Sequence, residues 1–247
     1  MLPADLITAL DAVSSTPRLL VTSDFDGTLA PIVNNPADAR ALPAAASALI
    51  ELADLADTDV ALISGRALNV LKELAAMPAN IHLVGSHGAE FESGFSQPVD
   101  EALLTRIGLS LGEIASRYPG VTVETKPASV ALHVRNASSG DGTAALAAAQ
   151  LAAADWNAEI TSGKAVLELA VITTNKGSAI DELRSRAAAT AVVFFGDDVT
   201  DEKAFARLAD GDVGVKVGPG QSAAQYRVDS PDDVAEALAH LARRRPA

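Results

Sequence analysis

The chain has 247 residues, of which 49% are hydrophobic and 4% aromatic, so it can bury one large core or two unequal ones. Its formal net charge is −13 and no basic stripe offsets that charge, which argues against nucleic acid as a partner. The absence of cysteine excludes disulfides, thiol nucleophiles and thiolate metal sites.

The amino-terminal segment does not resemble a targeting sequence. Residues 1–17 contain Asp5 and Asp11 and lack a basic region followed by an apolar one, so they do not form a signal peptide. No apolar run reaches the roughly 18–20 residues that are needed to cross a bilayer. We therefore predict a cytoplasmic protein that has no membrane partner.

The first hundred residues alternate between helical patterns and apolar, strand-like runs. The pattern predicts helices over 4–13 and from about residues 43 and 68 onward, and strands over 19–23, 59–63 and 81–84. Continuous apolar runs are typical of strands that are buried on both faces. The alternation of strand and helix predicts an α/β fold, with a parallel sheet covered by helices on both faces.

Residues 101–172 follow a different pattern, which predicts a smaller α+β unit. The predicted elements are helices over 101–118 and 143–156, the second capped by Asp141 or Thr143, and strands over 121–126, 129–135, 158–161 and 165–170. The strands that follow one another across short turns are expected to be antiparallel. This unit is predicted to be an insertion into a core domain made of residues 1–100 and 173–247.

The strand–helix pattern of the core resumes after residue 173. A helix starts near Lys176, a strand covers 191–195, a short helix covers 203–208 and a strand covers 213–217. Residues 229–233 are expected to cap a final amphipathic helix.

Polar side chains follow four of the predicted parallel strands. They are Asp24 and Asp26, Ser64-Gly65-Arg66, His87 and Glu90, and Asp197 and Asp198, and Lys176 opens a helix. Because the carboxyl ends of parallel strands meet at one edge of a sheet, we expect these residues to share one site.

The residue types at this edge suit phosphoryl transfer. A group of carboxylates without His or Cys forms a hard oxygen site that suits Mg²⁺. The Ser64 hydroxyl, the backbone amides of Gly27 and Gly65, and the Lys176 ammonium are donors that suit phosphate oxygens. One aspartate can attack phosphorus to form an aspartyl-phosphate, and a second can protonate the leaving oxygen and then activate water.

Four motifs, in order along the chain, resemble those of the haloacid dehalogenase superfamily: Asp24-Phe25-Asp26-Gly27-Thr28, Ser64, Lys176, and Gly196-Asp197-Asp198-x-x-Asp201. The insertion resembles the C2-type α/β cap of that superfamily. Further segments resemble the trehalose-6-phosphate phosphatase family, namely residues 64–66, 85–90, 126–135, 163–168, 175–177 and 196–202. The resemblance implies a Rossmann-like core with a cap domain, and a Mg²⁺-dependent enzyme that hydrolyses trehalose 6-phosphate to trehalose and phosphate.

The resemblance also implies a role for each motif residue. Asp24 would be the nucleophile and a Mg²⁺ ligand, and Asp26 would be the general acid/base, with its backbone carbonyl on the metal. Ser64 and Lys176 would hold the phosphoryl oxygens. Asp197 would ligate Mg²⁺.

Two further sets of residues are implied. Asp198 and Asp201 would support the metal ligands. The substrate-binding residues would be Gly27, Gly65, Arg66, His87 and Glu90 in the core domain, and Lys126, Arg135 and Glu168 in the cap. For His87 the sequence leaves open a role limited to ordering its own loop.

The chain departs from the family pattern at two places in the insertion, and other functions stay open. Val134 stands where the family often has Tyr before the cap arginine, and residues 169–171 replace the Arg and Pro that often follow the cap glutamate. The alternatives are a capped phosphatase for another sugar phosphate such as sucrose 6-phosphate, a phosphomutase, and a non-enzymatic scaffold that binds a phosphosugar. The expected partner is a small-molecule substrate, and we predict a monomer.

Overall fold

The structure, a computed structural model, describes residues 2–246. Within that range the helices are α1 (Ala4–Val13), α2 (Pro43–Ala53), α3 (Leu68–Ala75), α4 (Glu101–Ala115), α5 (Ser139–Ala153), α6 (Lys176–Ala187), α7 (Glu202–Phe205) and α8 (Pro231–Arg244). The strands are β1 (Leu19–Ser23), β2 (Thr58–Ile63), β3 (Ile81–Val84), β4 (Glu90–Phe91), β5 (Gly94–Phe95), β6 (Thr122–Thr125), β7 (Ser129–His133), β8 (Glu159–Gly163), β9 (Val166–Ala170), β10 (Ala191–Gly196), β11 (Val213–Val217) and β12 (Tyr226–Val228). Short 3₁₀ turns cover Pro36–Asp38 and Ser86–Gly88.

The chain divides into two compact units. One, the core unit, runs up to Gly94 and resumes at Thr174, and the other, the insert unit, is Phe95–Thr173. The predicted insertion, residues 101–172, falls within the insert unit.

The core unit contains a six-stranded sheet in the order β12-β11-β10-β1-β2-β3. Every neighbouring pair in it is parallel, which confirms the predicted α/β fold. The central strand β1 is buried along its whole length. Its side chains alternate between two hydrophobic clusters, with Leu19 and Val21 on one face and Leu20 on the other. Because both faces are apolar, the strand is a continuous hydrophobic run in the sequence.

The insert unit contains an antiparallel sheet in the order β6-β7-β9-β8. A single hydrophobic cluster joins this sheet to α4 and α5, with Ile107, Leu132 and Ala149 among its fully buried members. The α+β character predicted for this segment is therefore confirmed.

The start of α5 was predicted wrongly. The helix begins at Ser139, and its N-cap is Ser138, whose side chain accepts a hydrogen bond from the Asp141 backbone N–H. Gly140 and Gly142 made the sequence before Thr143 resemble a loop. The serine cap supplies the acceptor that starts the helix, and Gly142 lies in close contact with Val134.

Three short strands were not predicted, namely β4, β5 and β12. Each has only two or three residues, too few for a periodic hydrophobic pattern to be visible. The predicted helix over 203–208 is a single turn, α7, that ends at Phe205. Among residues 2–246, no helix combines the length and the apolar character needed to cross a bilayer.

Candidate active site

Strand β1 delivers Asp24 to the carboxyl edge of the sheet. The backbone N–H of Asp24 donates to the carbonyl of Phe195 at the end of β10, at 2.9 Å, so the parallel ladder continues into the site. The Asp24 carboxylate is buried, and the Lys176 ammonium lies 2.9 Å from its Oδ1 atom.

Lys176 is the first residue of α6 and is only 2% exposed. Its ammonium contacts Asp24 Oδ1 at 2.9 Å and donates a hydrogen bond to Asp201 Oδ1 at 2.6 Å. A positive charge at a helix N-terminus opposes the helix dipole, and a buried ammonium loses its hydration. The two carboxylates offset both costs, so the position of this lysine is explained by the site and not by the helix.

Three carboxylates form the one group of potential metal ligands within residues 2–246. One oxygen each from Asp24, Asp197 and Asp201 lies within 4.8 Å of the other two. An all-oxygen donor set of this kind fits Mg²⁺. Asp201 was expected only to support the ligands, but it lies in the group itself, whereas the carboxylate of Asp26 does not.

The pKa values of Asp24, Asp197 and Lys176 are shifted by burial and by the charges of their neighbours. Desolvation raises the pKa of Asp24 well above its usual range, and the Asp201 and Asp197 charges add to this while Lys176 opposes it. Burial and the Asp201 charge raise the pKa of Asp197 to about 6. Burial disfavours the charged form of Lys176, but Asp24 and Asp201 outweigh it, so its pKa is also raised. The carboxylates therefore gain from any further positive charge placed among them.

The loop after β10 fixes the position of Asp201 within the group. Asp201 is fully buried, and its Oδ2 atom accepts the Asp198 backbone N–H at 2.9 Å. A Cβ atom on Gly196 would lie 2.5 Å from the Asp201 carboxyl carbon, so the glycine is needed for this close approach. Asp198 is exposed, and its Oδ1 accepts the N–H of Val199 at 2.7 Å, so its carboxylate orders its own loop.

Asp197 is held by residues that sequence patterns did not assign. The Thr28 hydroxyl donates to Asp197 Oδ1 at 3.3 Å, and the buried Lys216 ammonium donates to the Asp197 backbone carbonyl. The sequence contains a signal for Lys216, which is a lysine near the carboxyl end of the fully buried strand β11. A lysine that is buried at the edge of a sheet indicates that a carboxylate or a carbonyl lies nearby.

Gly27 also lies close to the Asp197 carboxylate. It has φ +77°, and a Cβ atom there would lie 2.1 Å from Asp197 Oδ2. We expect Gly27→Ala to displace Asp197 and to lower Mg²⁺ affinity by about 10–100-fold, as measured by calorimetry. Gly211 is the matched control, since it has φ +91° and open space around it. Gly211→Ala should cost only about 1–2 kcal/mol of strain and leave Mg²⁺ affinity unchanged; equal losses of affinity in the two variants would contradict this role.

Asp26 and Arg66 form an ion pair across neighbouring strand ends. The guanidinium donates from Nε to Asp26 Oδ2 and from its Nη2 to Oδ1, each at 2.6 Å. Asp26 follows β1, and Arg66 follows β2, which lies beside β1 in the sheet. Arg66 was predicted to bind substrate, and that role stays a prediction; in the structure its guanidinium contacts the predicted acid/base Asp26.

Ser64, His87 and Glu90 lie in two loops that bind each other. The Ser64 hydroxyl accepts the Arg66 backbone N–H at 3.2 Å, and the His87 backbone N–H donates to the Ser64 carbonyl at 2.9 Å. Glu90 Oε2 accepts the Leu68 backbone N–H at 2.8 Å and the Ser86 hydroxyl at 2.7 Å. These contacts order the two loops. The His87 contact is made by its backbone, so both roles left open for its side chain stay predictions.

The His87 ring also limits the space at Gly65. A Cβ atom on Gly65 would lie 2.4 Å from the imidazole Cε1 atom, so only glycine fits beside the ring. The backbone of Gly65 was predicted to bind substrate, and that role stays a prediction.

In the insert unit, the structure brings Lys126 and Glu168 together. The ammonium donates to both carboxylate oxygens, at 3.1 and 3.0 Å, and the Ser129 hydroxyl donates to Glu168 Oε1 at 2.6 Å. Ser129 was not predicted as a site residue. Arg135, which was predicted to join this group, is exposed and follows the opposite end of β7 from Ser129.

The family model described as trehalose-phosphatase matches residues 22–232 of the chain. The chain belongs to the trehalose-phosphatase family. A trehalose-phosphate phosphatase of Mycobacterium marinum is 36% identical over 251 residues, which cover 92% of this chain and 62% of that protein. The chain therefore spans about three fifths of the length of the curated relatives it matches.

Solved structures share the fold of this trehalose-phosphatase family member. The C-terminal domain of a trehalose-6-phosphate phosphatase from Candida albicans superposes with a TM-score of 0.81 at 23% identity, over 98% of each chain. A haloacid dehalogenase-like hydrolase from Bacteroides thetaiotaomicron gives 0.67 at 17% identity, over 90% of this chain and 98% of that one. At these identities the likeness concerns the fold, and it confirms the predicted haloacid dehalogenase-like architecture.

Proposed function

We propose that this chain is a Mg²⁺-dependent phosphatase that hydrolyses trehalose 6-phosphate to trehalose and phosphate through an aspartyl-phosphate on Asp24. The observation that carries the chemistry is the buried Asp24 carboxylate, which lies 2.9 Å from the Lys176 ammonium and near two further acids. A pure phosphate-binding site would not place a carboxylate where an anion has to enter, because the two charges repel each other. The family match supports trehalose 6-phosphate as the substrate.

The reaction divides into two displacements. Asp24 attacks phosphorus, the bond from phosphorus to the sugar oxygen breaks, and Asp26 gives its proton to that oxygen so that trehalose leaves. Asp26 then takes a proton from water, which attacks phosphorus and breaks the bond to Asp24, and phosphate leaves. Ser64 and Lys176 would hold phosphoryl oxygens during both displacements.

The carboxylates of Asp24, Asp197 and Asp201 are the residues that would hold Mg²⁺, together with the backbone carbonyl of Asp26. The bound ion would neutralise charge, so that an anionic carboxylate can approach an anionic phosphate. Two ammonium groups, Lys176 on Asp24 and Asp201 and Lys216 on the Asp197 carbonyl, stand against three carboxylates in this group. This imbalance supports the requirement for a cation.

Sugar recognition is proposed for the insert unit. Lys126 and Glu168 pair at 3.0 Å and are partly exposed, so a hydroxyl group can approach both side chains. Arg135 and Glu90 are proposed as further substrate contacts. A carboxylate that is already oriented by Lys126 and Ser129 can accept a hydroxyl hydrogen bond with little loss of side-chain entropy.

The test is phosphate release from a panel of sugar phosphates, measured with Mg²⁺ and after chelation. Trehalose 6-phosphate should be hydrolysed fastest, and chelation should abolish release until Mg²⁺ is restored. Bound Mg²⁺ should also raise the melting temperature, because a ligand that binds only the folded state stabilises it. The Glu168→Ala variant should lose activity on trehalose 6-phosphate but keep it on a small aryl phosphate.

Other outcomes of the same panel would identify the alternatives. Preference for sucrose 6-phosphate would correct the substrate. Isomerised sugar phosphate without free phosphate would indicate a mutase, and binding without any turnover would indicate a scaffold.

A further inference from the structure

The Asp26–Arg66 pair has the geometry of a positioning contact. Both carboxylate oxygens accept from the guanidinium, each at 2.6 Å. Paired parallel hydrogen bonds of this kind set the plane of the carboxylate as well as its position, which a single donor cannot do. Within residues 2–246, Arg66 is the one side chain that hydrogen-bonds the Asp26 carboxylate.

Arg66 is itself held from the neighbouring loop. Its carbonyl accepts the Ser86 backbone N–H at 2.7 Å, and its own N–H donates to the Ser64 hydroxyl at 3.2 Å. A Cβ atom on Gly85 would lie 2.9 Å from the Arg66 carbonyl oxygen, so the two loops are in close contact. The Arg66 side chain is only 17% exposed. These hydrogen bonds fix the backbone of Arg66, and this limits the positions from which its guanidinium can contact Asp26.

Orientation matters most for a group that transfers a proton. A misplacement of about 1 Å can cost about 100-fold in rate. The Asp26 carboxyl is one third exposed, at 33%, so packing alone does not determine its orientation. Without Arg66, the carboxyl is free to rotate in solvent.

We propose that Arg66 is a positioning residue for the acid/base Asp26, and not a direct contact of the substrate. The proposal rests on the proposed phosphatase function. In the first displacement the bond from phosphorus to the leaving oxygen breaks, and a proton carried on one Asp26 oxygen passes to the leaving oxygen while the other Asp26 oxygen still accepts from Arg66. Arg66 holds the Asp26 carboxyl in the plane from which this transfer occurs.

The leaving group provides the test. A sugar alkoxide needs a proton as it leaves, whereas p-nitrophenolate leaves without one. Arg66→Met should therefore lower the rate of trehalose release in the first turnover by about 10–100-fold and the rate of p-nitrophenolate release in the first turnover by less than about threefold. The second displacement, in which Asp26 acts as base on the same aspartyl-phosphate, should slow equally for both substrates. Arg66→Lys, which can restore one of the two hydrogen bonds, should give an intermediate kcat on the sugar phosphate.

Two controls distinguish positioning from damage to the fold. Arg186→Met removes a half-exposed arginine, paired with Glu182 near the end of α6, and should leave both rates unchanged. In an Asp26→Asn background, Arg66→Met should cause no further loss of kcat on trehalose 6-phosphate, since the group it positions no longer transfers a proton.

Specific results would overturn the proposal. Equal losses of the two first-turnover rates, a loss confined to KM, or additive losses in the double variant would each show that Arg66 acts on the phosphoryl group or on the fold. An inactive wild type would overturn the proposed function as well, so wild-type turnover with Mg²⁺ is measured first.

Discussion

Asp24→Asn is expected to lower the turnover of trehalose 6-phosphate by about a thousandfold or more, because an amide cannot attack phosphorus and form the covalent intermediate. The fold should survive, since asparagine has nearly the same volume and the change removes a buried charge. Burial raises the pKa of the Asp24 carboxyl, so that charge is costly in the metal-free protein. The measurements are the rate of phosphate release with saturating Mg²⁺ and the melting temperature.

Asp59→Asn is a matched control for this variant. Asp59 lies near the amino end of β2, away from the edge that carries Asp24, and its carboxylate contacts Arg18 at 3.3 Å. Its replacement should leave turnover within about twofold of wild type, as is usual for a partly exposed ion pair. If Asp24→Asn turned over trehalose 6-phosphate as fast as Asp59→Asn, Asp24 would not be the nucleophile.

Lys176→Met is expected to remove both activity and stability. The buried ammonium neutralises Asp24 and Asp201, which it contacts at 2.9 and 2.6 Å. Removing one partner from a buried ion pair costs about 3–5 kcal/mol, because the remaining charge is buried without compensation. Phosphate release should fall steeply, and denaturant unfolding without metal should show the lower stability. Added Mg²⁺ should recover part of that stability.

Lys72→Met is the matched control, because it removes a lysine that is paired but not buried. Lys72 pairs with Glu92 at 2.9 Å, and both side chains are about half exposed, at 47% and 48%. Exposed pairs of this kind contribute about 0–1 kcal/mol. Equal destabilisation by the two substitutions would mean that the buried position of Lys176 does not matter.

The apolar runs of the sequence determine the core elements because a strand buried on both faces must be hydrophobic throughout. β1 and β10 were predicted to within one residue of their ends for this reason. The short strand β12 and the start of α5 were not predicted correctly. The first is too short for a pattern, and the second depends on a serine cap that outweighs two nearby glycines.

The apolar runs also predict which residues follow the parallel strands, and hence that Asp24 and Asp197 lie at one edge of the sheet. Lys176 was expected there because it matches a family motif. The partners of these residues depend on the three-dimensional fold. The fold brings Asp201 next to Asp24 and Asp197, Lys216 to the Asp197 carbonyl and Arg66 to Asp26. All strands of a parallel sheet run in the same direction, so the residues that follow them lie at one edge. The direction and reach of a side chain depend on neighbours that are distant in sequence.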